Sequence, residues 1–332
     1  MTTITASSST QRPGLRSLNI LRDLPTVADL IELCFGETMD IDGQRYLQQL
    51  RHAGRDNAFL RWASTAMDTV SVPLSGYVWE EGGEIVGNVS LIPFREAGKQ
   101  VYMIANVAVH PDFRRRGIAR ALTVAAMQHA LRRQGCEMWL HVRDDNPGVL
   151  ALYANLGFKE RARRTTWVAS PKPPPPQGIG KDFTITKRAG RDWPLVRDWL
   201  RHSYPEELDW YLVVPWEALR PGFLPALYRF FASYEIRERA VYRDGELQAA
   251  LVWQTLGGRV DRLWAAAVLP GSQEALETLL LYARSTLVWR HSMNLDYPAS
   301  ESADAILRAG FQARRTLIWM RYDASLNSQT RI

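Results

Sequence analysis

Residues 102–130 read YMIANVAVHPDFRRRGIARALTVAAMQHA, and this stretch decides the fold. Tyr102 to Val109 is β-branched and apolar and stops at His110 and Pro111, the pattern of an interior strand. From Gly117 the period changes. Ile118, Ala121, Leu122, Ala125, Ala126 and Ala130 recur at helical spacing, with Val124, Met127 and Leu131 on neighbouring turns, so the helix should be largely covered. Between strand and helix lie Arg114, Arg115, Arg116, Gly117, Ile118, Ala119 and Arg120. A helix start carries unpaired N–H groups and the positive end of the macrodipole, and Gly117 and Ala119 leave that backbone open to a phosphate. The arginines add formal charge and forked donors, and an exposed basic turn is the plainer alternative reading.

Moving downstream, Glu137 to Val142 reads as another short strand. Asn146 then suits an N-cap and Pro147 the first helical position, with the helix running to about Asn155 before Leu156, Gly157 and Phe158. Asn146 and Tyr153 stand two turns apart, so both can face one groove. Upstream, Leu18 to Arg22 reads as a first strand. A helix starting at Asp23, Leu24 and Pro25 runs to Phe35, and a second covers residues 43–54. Residues 57–74 give no periodic signal. Tyr77 to Trp79 and Glu84 to Ile92 read as strands joined by a tight turn at Gly82 and Gly83.

Val107, Ala108, Val109, His110 and Pro111, followed by Arg114-x-x-Gly117-x-Ala119, resemble the acetyl-coenzyme A motif of the GNAT N-acetyltransferases. Asn146, Tyr153, Gly157 and Phe158 resemble that family's second motif, with Gly148 and Val149 departing from its usual Ala or Lys. The resemblance implies acetyl-coenzyme A as acyl donor, with no metal, and direct attack on the thioester by a primary amine. It places the pyrophosphate on the amides of Arg115 to Arg120 and the pantetheine along Val107 to Val109. It makes the Val109 N–H the oxyanion donor and Tyr153 the proton donor to the thiolate. Members that acetylate protein N-termini often carry Glu five residues before the Asn, where this chain has His141. An imidazole can serve as base there or merely bond at a strand end. His110 and Glu80 are further candidates, read more simply as exposed turn residues.

The 332 residues suit two domains. Residues 1–14 are polar and read as a disordered lead-in, 15–170 as the catalytic domain and 171–180, with four consecutive prolines, as a stiff linker. Residues 181–325 read as a degenerate second copy and 326–332 as a tail. Tyr242 to Leu247 echoes the glycine hairpin, Ala266 to Pro270 echoes Val107 to Pro111, and Ala309 to Phe311 echoes Leu156 to Phe158. Trp319 closes the second copy as Trp167 closes the first. The second copy has Gly271 to Glu274 in place of the arginine turn and should not hold coenzyme A. The fold class is therefore α/β (α+β), two tandem GNAT-like domains, each a mixed central sheet flanked by helices. This arrangement resembles the mycothiol synthases in architecture alone.

Two cysteines, Cys34 and Cys136, read as buried free thiols of a cytoplasmic protein, and no cluster has metal-ligand spacing. A net charge of +6 is spread along the chain rather than gathered in a block, so nucleic acid is a minor reading. No apolar run approaches a membrane span. The acceptor is read as a small-molecule or peptide amine, and the tryptophan-rich second half as an interface for a homodimer. The alternative is a non-catalytic module that senses acyl-coenzyme A or presents the second domain to a protein. His141→Ala is expected to lower acetylation near neutral pH at least about tenfold, measured as thiol release, and an unchanged rate reassigns the base.

Overall fold

The computed structural model describes residues 14–39, 41–55, 75–96, 99–133, 136–170, 182–212, 214–222, 235–255, 260–267, 272–286 and 292–323. The segment without periodicity, the proline-rich linker and the tail lie outside the described residues. The chain divides into two units. One comprises 1–142, 146–160 and 320–332; the other comprises 143–145 and 161–319.

In the first unit β1 (Gly14–Ser17), β2 (Ser75–Glu81), β3 (Glu84–Glu96), β4 (Lys99–Val109) and β5 (Cys136–Arg143) lie side by side in chain order. The first four pair antiparallel, while β4 and β5 pair parallel. Gly82 and Gly83, both at positive φ, make the tight turn read from the sequence. Helices α1 (Ile20–Phe35) and α2 (Ile41–Ala53) share a core with Val78 and Ala108 on one face of the sheet. Helix α3 (Ile118–Leu131) covers the other face, where a side chain at Gly87 would meet Ile118 and Leu122. It buries Ile118, Leu122, Ala125, Ala126, Met127 and Ala130, as its apolar girth requires. Helix α4 (Pro147–Asn155) follows β5.

The first strand lies upstream of residues 18–22, where the sequence suggests it. Asn19 is the N-cap of α1, its side chain accepting from the Leu21 N–H, so residues 20–22 are helical and β1 lies at Gly14–Ser17. The cap overrides the short apolar run that suggested a strand. Glu80, read as a turn residue, is buried on β2. There it pairs with Arg16 at 2.7 Å, and Arg16 in turn pairs with Asp23 at 2.5 Å. Arg22 adds a 3.0 Å pair to Asp23. These groups line a cleft of about 540 Å³ remote in sequence from the arginine turn, and their charges are spent on one another. Cys34 and Cys136 are half-buried rather than buried, and free.

Setting aside α2 of the first unit and two four-residue helices at Asp209–Leu212 and Trp216–Leu219 of the second, the same order of elements recurs in the second unit: strand, helix, hairpin, strand, helix, strand, helix, strand. These are β7 (Thr184–Thr186), α5 (Trp193–Ser203), β8 (Glu235–Arg243), β9 (Glu246–Thr255), β10 (Val260–Ala267), α6 (Gln273–Thr286), β11 (Ser292–Pro298), α7 (Ala303–Arg308) and β12 (Gln312–Tyr322). Asp244 and Gly245, both at positive φ, turn the second hairpin. The strands lie in the order β7-β8-β9-β10-β11, and β11 then pairs antiparallel with β6 (Phe158–Ala169) over Arg164–Ala169. Trp167, Trp253, Leu279, Leu295 and Phe311 are among the side chains of its core. Residues 320–323 return to the first unit, where Tyr322 meets Phe158 at 5.7 Å between ring centroids. The Asp323 N–H donates to Gly157 O at 3.0 Å, and its carboxylate pairs with Lys159 at 2.8 Å. Among the described residues no helix is long and apolar enough to cross a membrane.

Burial pushes the Asp23 carboxyl up, but hydrogen bonds from Arg16, the Asn19 N–H and Arg22 outweigh it and hold it below the usual carboxylate value. A lowered folded pKa contributes stability above the unfolded value near ~3.9, lost as pH falls through the folded value. Denaturant unfolding followed from pH 7 to 2 should therefore show stability declining below about pH 4. Asp23→Asn should flatten that decline and cost roughly 1–3 kcal/mol at pH 7.

Candidate functional site

Parallel pairing of β4 with β5 runs only from Gln100–Cys136 to Ile104–Leu140. Both strands continue, β4 to Val109 and β5 to Arg143, so the sheet opens beyond this point into a cleft at their carboxyl ends. The opening coincides with a bulge. Asn88 faces Ala108 while Ser90 faces Ala105, which leaves Asn106 and Val107 opposite Val89 alone, and Asn106 takes φ 52°.

The bulge sets which amides enter the cleft. His110 donates its N–H to Val86 O on β3 at 2.9 Å, so by alternation the Val109 and Val107 amides point away from β3, and that of Ala108 points toward it. The Val109 carbonyl is already engaged by Arg114 Nε at 3.1 Å and Cys34 Sγ at 3.3 Å. The strand edge therefore offers its donor rather than its acceptor.

The turn that follows is built for main-chain donation. Arg115 has φ 64° and Gly117, the N-cap of α3, has φ 81°. The first intrahelical bond runs from the Ala121 N–H to Gly117 O, so the amides of Ile118, Ala119 and Arg120 precede the helical ladder. A side chain at Gly117 would meet nothing within 4 Å, which leaves an open cradle over those amides. Arg116 is tied to Glu81 at 3.3 Å and to Asp112 O at 3.2 Å and lies 4.9 Å from the Phe113 ring centroid. Arg114 folds back to β4 as described, while Arg115 and Arg120 are exposed.

Asn146 caps α4, its side chain accepting from the Val149 N–H at 3.2 Å. Tyr153 is 5% exposed and packs edge-on against Phe158 at 6.1 Å. Desolvation pushes its phenol well above the usual value, so the hydroxyl keeps its proton through the neutral range. His141 is half-buried on β5, one position past the last pair with β4. Tyr102, paired with Met138, contacts His129 of α3; by alternation Trp139 and His141 lie on the opposite face, the side of α1. His110 caps its own turn, accepting from the Asp112 N–H. Among the described residues no group of three His, Cys, Asp or Glu side chains could hold a metal ion.

The second unit parts its strands in the same way and then closes the gap. Pairing of β10 with β11 ends at Leu263–Leu295, two residues before the Ala265 N–H, which donates to the Tyr204 hydroxyl at 3.0 Å. Tyr204 is 1% exposed. The Arg164 guanidinium lies 5.0 Å from its ring centroid and bonds to Asp296 and to Ser203 O. The amide beyond the split is thus met by the chain's own phenol.

Sequence reasoning missed Asn106, Asn88, Ser90 and Tyr46, which hold the bulge. A polar Asn within an apolar strand was the available signal.

Residues 37–158 match the model of the Acetyltransferase (GNAT) family. The [Ribosomal protein bS18]-alanine N-acetyltransferase of Escherichia coli K12 is 39% identical over 62 residues, 19% of this chain and 42% of that protein. The mycothiol acetyltransferase of Kocuria rhizophila is 42% identical over 53 residues, 16% of this chain and 18% of that one. The chain thus spans less than half the length of either relative. The crystal structure of a GCN5-related N-acetyltransferase from Sphaerobacter thermophilus is similar in fold, with a TM-score of 0.53 at 14% identity, covering 92% of this chain and 95% of that one.

Gly117→Ala places a Cβ at positive φ with no clash, so it should cost only about 1–2 kcal/mol of backbone strain. Denaturant unfolding measures that loss.

Proposed function

We propose that the first unit is an acetyl-coenzyme A dependent N-acetyltransferase acting on a primary amine of a small molecule or peptide. The observation that carries this reading is the parting of β4 from β5 beside an open helix start, because it gathers along one path main-chain donors that the described residues leave unpaired. Pyrophosphate oxygens fit the amides of Ile118, Ala119 and Arg120, with Arg115 and Arg120 supplying charge. Pantetheine amides fit the edge Val107–Val109 as an added strand does.

In the reaction the amine nitrogen attacks the thioester carbonyl carbon, the C–N bond forms and the C–S bond breaks. The Val109 N–H stabilises the oxyanion, since it points away from β3 while its own carbonyl is occupied. The thiolate takes a proton from Tyr153, which burial keeps protonated. His141 receives the amine proton, directly or through water. The closed gap at Tyr204 supports assigning donor binding to the first unit alone.

Calorimetry should find one acetyl-coenzyme A per chain, and thiol release over an amine panel should identify turnover. Reversing charge at Arg114, Arg115 and Arg116 together with Gly117→Val should abolish binding in a folded protein. Tyr153→Phe should retain binding and lower turnover by about a hundredfold. Retained binding by the first variant overturns the cradle, and binding of acetyl-coenzyme A without turnover on any amine makes the unit a sensor.

A further inference from the structure

The bulge in β4 is held by side chains from three elements. Asn106 Nδ2 donates to the Tyr46 hydroxyl at 2.7 Å and to Ser90 Oγ at 3.2 Å, and the Asn106 carbonyl accepts from Asn88 Nδ2 at 3.0 Å. Asn88 and Ser90 are 0% and 2% exposed on β3, and Tyr46 reaches in from α2. Asn106 is one of four non-glycine residues at positive φ among the described residues, a conformation that costs about 1 kcal/mol or more and persists where its surroundings enforce it. The extra residue also shifts the alternation of β4 by one, which moves the amides facing the cleft onto Val107 and Val109.

We infer that Tyr46, Asn106, Ser90 and Asn88 form a positioning network that aims the Val109 N–H at the acyl carbonyl of the donor. The inference rests on the acetyltransferase reading of the first unit. None of the four need touch the donor; they act through the peptide planes after Asn106. The phosphate cradle at Ile118–Arg120 lies on a different segment of backbone, and of the contacts the bulge sets, that of the Val109 N–H with the acyl carbonyl is the one coenzyme A lacks. Tyr46 lies on α2, so its hydroxyl couples that helix to the bulge.

The discriminating quantity is the affinity for acetyl-coenzyme A relative to coenzyme A, which needs no knowledge of the acceptor. A network that only supports the fold would change both affinities together. Calorimetry on the full chain with both ligands compares wild type, Tyr46→Phe and Asn106→Ala, with unfolding midpoints as the control. Tyr46→Phe, which keeps the ring and removes one hydrogen bond, should weaken acetyl-coenzyme A about fivefold and leave coenzyme A within about twofold. Asn106→Ala should widen that gap. Equal losses for the two ligands, or no change in either, would overturn the network as a positioning device. A wild-type chain that binds neither ligand would instead remove the acetyltransferase reading on which it rests.

Discussion

A strand in the middle of a sheet that stops pairing with its neighbour leaves main-chain donors and acceptors that must be met some other way. Everything in the first unit follows from how β4 handles that constraint after Ile104. Its acceptor at Val109 is met by Arg114 and Cys34, while its donors face the cleft. The helix start downstream repeats the solution, since its first amides precede the helical ladder and a Cβ at Gly117 would meet nothing within 4 Å. A ligand with carbonyl and phosphate oxygens in series would meet this demand along its whole length.

The second unit obeys the same constraint with the opposite outcome. Its strands part after Leu263, and the Ala265 amide is met by Tyr204, itself beneath Arg164. Among the described residues, two stretches with a similar order of elements thus differ in whether an internal phenol supplies the missing partner. The difference needs no change in topology, only one bulky side chain at the end of a helix.

The strand, turn and helix of residues 102–130 were legible because the hydrophobic period switches within one segment. The two hairpins were legible because Gly82-Gly83 and Asp244-Gly245 are residues that accept positive φ. The start of α1 was not, since Ile20, Leu21 and Leu24 suit either element and a single side-chain bond from Asn19 decides between them. The buried pairing of Glu80 escaped for a related reason: Arg16 lies far away in sequence, and a charge beside Gly82 suggests a turn. The bulge was invisible because one inserted residue leaves composition intact, and Asn106 finds Tyr46 at a separation of 60 positions. Of the candidate site, the segments were readable and the phase of the strand within them was not.

The contacts of Asp323 and Tyr322 with Gly157, Lys159 and Phe158 bear on biosynthesis. A ribosome delivers a chain from its amino end, at roughly 5–20 residues per second. The partners of Asp323 therefore wait, with the last turn around Gly157 unsealed, until the whole second unit has been made. Loop closure over such a span is slow and exposes sheet edges in the interim. A nascent chain arrested within the second unit would hold every residue of the arginine turn and still lack the contacts that Tyr322 and Asp323 make with residues 157–159.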